Sequence, residues 1–249
     1  MEPLFSIITV TWNAAGVLPA TLRSVRQQTC TDYELLLMDG ASTDDTLAVA
    51  RQADIASMRV FSEPDRGLYD AMNKGIDRAR GKYLIFLNAG DAFASDTVLA
   101  RLAVLANDNP DVMYGQTQLV DARGNVVGMR HLTAPRKLTA RSFTQGMLVC
   151  HQAFVARRTL APQYDLRYRY SADYDWCINV LDVASACAYA GDEPLVSYLN
   201  EGGTTNRHHL ASLWERYRIM CHHYGTGEAT RQHISFIPRY FKRRWLKKS

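Results

Sequence analysis

The 249-residue chain has no apolar run approaching the roughly 18–20 residues of a membrane-spanning helix. Its start, Met1-Glu2-Pro3-Leu4-Phe5, has no basic segment ahead of an apolar one, so no secretory leader is expected and the default location is the cytoplasm. Cysteine is sparse and odd in number. Cys30, Cys150, Cys177, Cys187 and Cys221 form no C-x-x-C pair, which argues against a structural zinc site and a disulfide framework and leaves buried free thiols. With 15 glycines and 8 prolines the chain is neither disordered nor fibrous. The common phosphate loops G-x-G-x-x-G (after the first strand) and G-x-x-x-x-G-K-[ST] are missing, and so are G-x-S-x-G and H-E-x-x-H. Those gaps remove the obvious dinucleotide, P-loop, esterase and zinc-protease readings.

What is present is a hydrophobic fraction of 47%, enough for one large domain with a full core. The net charge of +4 is unevenly placed. Arg239, Lys242, Arg243, Arg244, Lys247 and Lys248 are six cations near the end, and without them the rest of the chain carries −2. A nucleic-acid-binding body would be expected to have a basic face of its own, so no nucleic-acid partner is expected.

The first half alternates strand and helix patterns. Phe5 to Trp12, Glu34 to Met38, Ser57 to Phe61, Tyr83 to Leu87 and Asp111 to Tyr114 read as strands. Helical spacing joins Val17, Leu18, Leu22 and Val25, then Ala71, Met72, Gly75, Ile76 and Ala79, then Val98, Leu99, Leu102 and Leu105. Thr43 is placed to cap a helix starting at Asp44. This alternation predicts an α/β fold with a mostly parallel sheet and helices on both faces. From about residue 115 the pattern becomes irregular. A hairpin is predicted around Asp121 to Asn125, strands over Val149 to Ala156 and Tyr189 to Leu199, and a long helix through Leu210, Trp214, Tyr217 and Cys221. The expected organisation is a single domain over 1–235, with a nucleotide-binding half to about 115 and an acceptor half after it, followed by a basic aromatic tail over 236–249.

Ligands of an open parallel sheet bind beyond the carboxyl ends of its strands. Four polar clusters follow candidate strands there: Thr11-Trp12-Asn13, Asp39-Gly40-Ala41-Ser42, Glu63-Pro64-Asp65-Arg66-Gly67 and Asn88-Ala89-Gly90-Asp91. Together they suggest a nucleotide-sized cleft. A diphosphate held without a phosphate loop commonly needs a divalent cation or basic side chains, for which Asp91, Arg66 and Lys74 are the candidates.

These clusters carry a family resemblance. Ser6-Ile7-Ile8-Thr9-Val10-Thr11-Trp12-Asn13 resembles the opening strand of the family-2 inverting glycosyltransferases, and Asp39-Gly40-Ala41-Ser42-Thr43-Asp44 resembles their D-G-x-S-x-D turn. The run from Glu63 to Ile76 is similar to a subgroup making bacterial surface polysaccharides, such as colanic-acid-type enzymes, and Gly81 to Asp91 completes the series. The resemblance implies a GT-A type fold and transfer of a sugar from a nucleotide-diphosphate donor to a hydroxyl of a glycan or lipid-linked acceptor. It implies a donor site drawn from Thr11, Trp12, Asn13, Asp39, Asp65, Arg66, Asn73, Lys74 and Asn88, with Asp91 at a Mg²⁺ or Mn²⁺ position. Asp173, in Ser171-Ala172-Asp173-Tyr174-Asp175-Trp176, matches the family's usual catalytic base, with Asp175 as its nearest rival. Gly40 stands where the family often has a second Asp, and Asn88-Ala89-Gly90-Asp91 stands where it usually has D-x-D. The literal D-x-D at Asp173-Tyr174-Asp175 does not follow a buried strand of the nucleotide-binding half and is not read as the metal motif.

Inverting transfer is one displacement at the anomeric carbon. It needs one base and no protein nucleophile, unlike retaining hydrolysis. A sugar-nucleotide pyrophosphorylase shares the sheet-and-metal architecture but usually carries a basic Gly-rich loop after its first strand. A non-catalytic nucleotide-sugar-binding protein is the reading from another class. His151 resembles a position near the acceptor cleft, although a lone His among apolar neighbours is more often a core residue. Gly202-Gly203-Thr204-Thr205-Asn206-Arg207-His208-His209 is a candidate lid, and His222-His223 reads as surface. The tail interleaves Phe236, Tyr240, Phe241 and Trp245 with its cations, a composition suited to peripheral attachment at an anionic membrane surface on the cytoplasmic side.

Overall fold

Phe5–Thr11 (β1) is uncharged and buried at every position, which only a strand covered on both faces permits. It lies between Tyr33–Asp39 (β2) and Tyr83–Phe86 (β4), parallel to both, with Thr11 opposite Asp39 and Phe5 opposite Tyr83. Met58–Ser62 (β3) adds in parallel outside β2, bringing Ser62 level with Asp39. The computed structural model describes residues 2–199 and 209–235, so the tail and most of the candidate lid lie outside the described residues.

Between these strands run Leu18–Arg26 (α1), Thr46–Gln52 (α2) and Leu68–Arg78 (α3), and Val98–Ala106 (α4) follows β4. The predicted cap at Thr43 does not form. The Thr43 N–H and hydroxyl both donate to Asn13 Oδ1, at 2.9 and 3.4 Å, and the Asp44 carboxylate takes the Thr46 N–H instead, at 3.0 Å. α3 packs closely on β1, because Gly75 lies where a Cβ would meet Ile8 Cγ2 at 2.5 Å.

The sheet continues from β4 into the second half, where the strand directions mix. Its order is β3-β2-β1-β4-β8-β6-β9-β5, made with Ala92–Phe93 (β5), Val112–Val120 (β6), Phe154–Arg157 (β8) and Cys187–Leu199 (β9). β8 is antiparallel to β4 and β6, β9 is parallel to β6, and β5 is antiparallel to β9. Val126–Met129 (β7) closes the expected hairpin on β6. The strand expected from Val149 begins only at Phe154, because His151–Ala153 is a 3-10 turn.

Ala172–Val183 (α5) carries the expected base region. His209–Tyr224 (α6) and a helical segment over 226–235 end the described chain. Cys150 and Cys177 are buried free thiols as expected, whereas Cys187 is exposed and Cys30 and Cys221 are half-buried. Beneath the junction of the two halves, Phe86, Phe154, Tyr164 and Trp176 form one aromatic cluster. Tyr164 stacks on Trp176 at 5.2 Å and Tyr69 stacks on Tyr164 at 5.3 Å. Among the described residues no helix is long and apolar enough to cross a membrane.

Candidate active site

The rim after β1 and β2 is one hydrogen-bonded unit. Asp39, 2% exposed, accepts from Thr11 Oγ1 (3.1 Å), Ser42 Oγ (2.5 Å), Ser42 N (3.0 Å) and Ser62 Oγ (2.6 Å). Burial opposes its charge, but these four donors outweigh it and hold the carboxyl below its ordinary range. The turn also holds the loop after β1: Asn13 N donates to Ser42 Oγ (2.8 Å), Ala14 N to Thr46 Oγ1 (2.8 Å) and Ala15 N to Asp44 Oδ2 (3.1 Å). Trp12, at the head of that loop, is 71% exposed, a bare aromatic face at the sheet's carboxyl edge.

The substitution of Gly for the family's second Asp has a steric counterpart. A Cβ at Gly40 would lie 2.5 Å from Asp65 Oδ2, so the Asp65 carboxylate occupies the space a side chain at position 40 would need. Asp65 Oδ1 also accepts the Gly67 N–H at 2.8 Å. Arg66 keeps a side chain 78% exposed while bonding Asp70 at 3.0 Å, and Lys74 donates to the Pro64 carbonyl at 2.7 Å. Asn73 is committed to the Tyr164 backbone in both directions, at 3.0 and 2.6 Å, which ties α3 to the segment leading into α5.

After β4 the chain turns tightly, with Asp91 N donating to the Asn88 carbonyl at 3.0 Å. The Asp91 side chain is buried, and its oxygens accept from Gln152 Nε2 (2.6 Å) and Leu199 N (2.8 Å). Burial pushes its pKa up to about 6 against the lowering by Gln152, Leu199 and the His151 charge. Asn88 Oδ1 is buried with no donor. An unpartnered amide oxygen in the same turn as one carboxylate suits Mg²⁺ or Mn²⁺, provided the cation takes its other ligands from diphosphate and water. No group of three or more His, Cys, Asp or Glu able to hold a metal occurs among the described residues.

Gln152 is the link that sequence reasoning missed. Its amide accepts from Asn88 N at 2.7 Å while donating to Asp91. The preceding residue, His151, lies 3.5 Å from Asn88 Nδ2 and turns its Nδ1 to Asp173 Oδ2 at 3.4 Å. The 3-10 turn that interrupts the expected strand thus joins the Asp91 position to Asp173 through two adjacent side chains. Asp173 Oδ1 accepts from the Tyr69 hydroxyl and from Tyr174 N, each at 3.0 Å. Burial disfavours its charge, but His151 first, then Arg216 and Tyr69, hold the carboxyl low. Burial alone would lower His151, yet Asp173 and Cys150 raise it to about 10. Asp173 is therefore an ionised carboxylate at neutral pH, the form a base requires.

Asp175, two residues on, belongs to another contact. It lies 2.8 Å from His223 Nε2 and accepts from Asn179 at 2.9 Å, which fastens α5 to α6. His223, expected at the surface, is buried in that contact.

A parallel sheet whose rim holds an acidic turn, an exposed aromatic ring and a buried carboxylate is the frame of a nucleotide-sugar transferase. The model of glycosyl transferase family 2 matches residues 6–163, and the chain belongs to that family. It is a nucleotide-sugar glycosyltransferase of the GT-A fold. A "PGL/p-HBAD biosynthesis glycosyltransferase" of Mycobacterium tuberculosis is 37% identical over 213 residues, covering 82% of this chain and 80% of that protein. The Escherichia coli "UDP-Glc:alpha-D-GlcNAc-diphosphoundecaprenol beta-1,3-glucosyltransferase WfgD" is 26% identical over 179 residues, 72% of this chain and 70% of that one. Among solved structures, S. aureus TarS 1-349 in complex with UDP-GlcNAc superposes with a TM-score of 0.68 at 17% identity, covering 96% of this chain and 72% of that chain. The Pyrobaculum calidifontis mannosyltransferase PcManGT in complex with GDP-Man and Mn²⁺ gives 0.59 at 14% identity, covering 95% and 75%. Family-2 enzymes of this fold typically depend on a divalent metal.

Proposed function

We propose that this chain is an inverting glycosyltransferase that moves a sugar from a nucleotide-diphosphate donor to a hydroxyl of a lipid-linked glycan, with Asp173 as the base. The observation that supports the reading is that the adjacent residues Gln152 and His151 contact Asp91 and Asp173 respectively, so that the two carboxylates proposed as metal ligand and base are linked through one short turn. The diphosphoundecaprenol acceptor in the name of the E. coli relative supports the acceptor class.

In this mechanism Trp12 offers its ring to the base or ribose, and Thr11, Asn13 and Asp39 keep the nucleoside rim in shape, with Asp65 beside Gly40. Lys74 and Asn73 contribute by holding the Glu63–Gly67 loop and the segment leading into α5, while Arg66, exposed but paired with Asp70, would exchange that partner for the diphosphate. Asn88 and Asp91 would hold Mg²⁺ or Mn²⁺, which when bound neutralises charge on the leaving diphosphate. Asp173 takes the proton of the acceptor hydroxyl as that oxygen attacks the anomeric carbon from the face opposite the leaving group. A base so placed contributes roughly 10²–10⁴-fold. The enzyme works on the cytoplasmic face of the membrane, where Leu210 and Trp214, exposed on α6, and the tail over 236–249, which lies outside the described residues, approach an anionic lipid surface.

The test is an assay with labelled UDP-, GDP- and dTDP-sugars, Mg²⁺ or Mn²⁺, and a prenyl-diphosphate-linked sugar. Release of the nucleoside diphosphate with transfer of label is expected. Asp173→Asn should lower transfer by about 10²-fold or more while the donor still raises the melting temperature. Loss of donor binding in that variant would make Asp173 a structural residue, and pyrophosphate exchange in place of transfer would overturn the reaction class.

A further inference from the structure

The Asp173 carboxylate is gripped from two sides. His151, in the 3-10 turn of the second half, faces Oδ2 with its Nδ1 at 3.4 Å. Tyr69, in the first turn of α3, donates its hydroxyl to Oδ1 at 3.0 Å. Tyr174 N also reaches Oδ1 at 3.0 Å but divides its bond with the Ser171 carbonyl at 3.1 Å. A carboxylate oxygen offers about two lone-pair directions. Oδ1 has both in use, whereas Oδ2 meets only His151 among the described residues and keeps one open.

Tyr69 is held firmly in this position. It is buried, its ring stacks on Tyr164 at 5.3 Å, and Tyr164 stacks in turn on Trp176 of α5 at 5.2 Å. Asn73, on the next turn of α3, is bonded in both directions to the Tyr164 backbone. Burial first, and then the Asp173 charge, keep the Tyr69 hydroxyl well above its ordinary range, so it stays protonated and can only donate.

The turn that carries Tyr69 is also part of the donor side. Asp65 Oδ1 accepts the Gly67 N–H at 2.8 Å and Arg66 N donates to Asp70 Oδ2 at 3.0 Å, which fixes the Glu63–Gly67 loop on the start of α3. Asp65 in turn fills the space beside Gly40 at the nucleoside rim. The Tyr69 hydroxyl therefore ties the donor loop to a carboxylate 104 residues further along the chain.

We propose that Tyr69 is a positioning residue for the base: its hydroxyl occupies Oδ1 of Asp173 and turns Oδ2 toward the acceptor hydroxyl, in register with the donor loop. The proposal rests on the glycosyltransferase reading and deepens it. In the step so arranged, the acceptor O–H bond breaks and its proton passes to Oδ2 while the oxygen bonds to the anomeric carbon. The bond from that carbon to the diphosphate breaks, and its electron pair leaves on the diphosphate. Tyr69 exchanges no proton. Water is small and untethered and still finds a misturned carboxylate, whereas a sugar hydroxyl held by its own contacts does not. Loss of the Tyr69 hydroxyl should therefore harm transfer more than hydrolysis of the donor.

The test compares the full chain with Tyr69→Phe, Tyr164→Phe, Asp173→Asn and the Tyr69→Phe/Asp173→Asn double variant. It uses the UDP-, GDP- or dTDP-sugar on which the parent turns over, with and without a prenyl-diphosphate-linked sugar. Phenylalanine keeps the ring and its stack, so the donor KM should stay at the parent value. The kcat for transfer should fall about tenfold or more, and donor hydrolysis without acceptor should fall less, so their ratio shifts toward hydrolysis. Tyr164→Phe removes a hydroxyl from the same stack that is buried without a partner, and should leave both rates unchanged. In the Asp173→Asn background Tyr69→Phe should cost no further rate, because the two residues act as one unit. Transfer within about twofold of the parent in Tyr69→Phe, an equal loss of transfer and hydrolysis, or a fully additive loss in the double variant overturns the positioning role. A lowered melting temperature with loss of donor binding in Tyr69→Phe overturns it as well, by making the hydroxyl structural. In each of these cases transfer by the parent leaves the enzyme reading intact. A parent that neither transfers nor hydrolyses any of the sugar nucleotides overturns the enzyme reading itself.

Discussion

Glu34 is a carboxylate inside a parallel sheet, tolerated because both of its oxygens are hydrogen-bonded. Ser6 Oγ (2.6 Å), Arg59 Nη2 (2.7 Å) and Arg80 N (2.6 Å) converge on it. Burial raises its pKa, but these donors prevail and the net shift is downward from 4.5. A depressed carboxylate stabilises the fold above its unfolded value and loses that contribution as pH falls through the folded one. Glu34→Gln should therefore cost about 1–3 kcal/mol at pH 7, with the gap to the parent closing as urea unfolding is followed below pH 4.5. A gap independent of pH would show that shape, not charge, matters at this position. The same reasoning applied to Asp173 concerns rate. With its cationic neighbour gone in His151→Asn, the Asp173 carboxyl should rise, and the acid limb of the kcat/KM profile should move to higher pH. An unmoved limb would detach His151 from the base.

At the scale of elements, the parallel half was readable because each strand there is a short, largely apolar run followed by a polar cluster at its carboxyl end, and the helices between carry a single apolar face. β9 was read as extended despite Gly191 and Pro194, but its pairing was not, since it meets β6 through two register shifts that no local pattern encodes. The site divides the same way. Asp39, Asp91 and Asp173 were visible as polar residues following strands or matching a motif. Gln152 and Tyr69 were not, because they reach their partners across folds of the chain: Gln152 meets Asp91 at a separation of 61 residues and Tyr69 meets Asp173 at 104. The close packing of α3 on β1 gives a prediction at this scale. Gly75→Ala gains about 1 kcal/mol in helix propensity, yet its Cβ would meet the fully buried Ile8 at 2.5 Å. Overpacking of about 1–3 kcal/mol should prevail, giving a lower urea midpoint with an unchanged m-value. An equal or higher midpoint would mean that α3 slides on the sheet without cost.

Across the whole molecule, the candidate donor site spans both halves of the sheet: the nucleoside rim belongs to β1, β2 and β3, while Asp91 is held from the second half by Gln152 and by Leu199 at the end of β9. A ligand that binds only the native arrangement stabilises it by about 2.7 kcal/mol at a hundred times its Kd. For a chain of this size that corresponds to roughly 5–10 °C in melting temperature. The gain should divide by chemistry, because the nucleoside contacts and the diphosphate contacts lie on different elements. Uridine should give a small rise that EDTA leaves unchanged. UDP with Mg²⁺ or Mn²⁺ should give a larger one that EDTA cuts back, and Asp91→Asn should reproduce the EDTA effect without lowering the uridine rise. If chelator and variant both leave the UDP rise intact, the diphosphate is held by side chains such as Arg66, and Asp91 serves to tie β9 to the turn after β4.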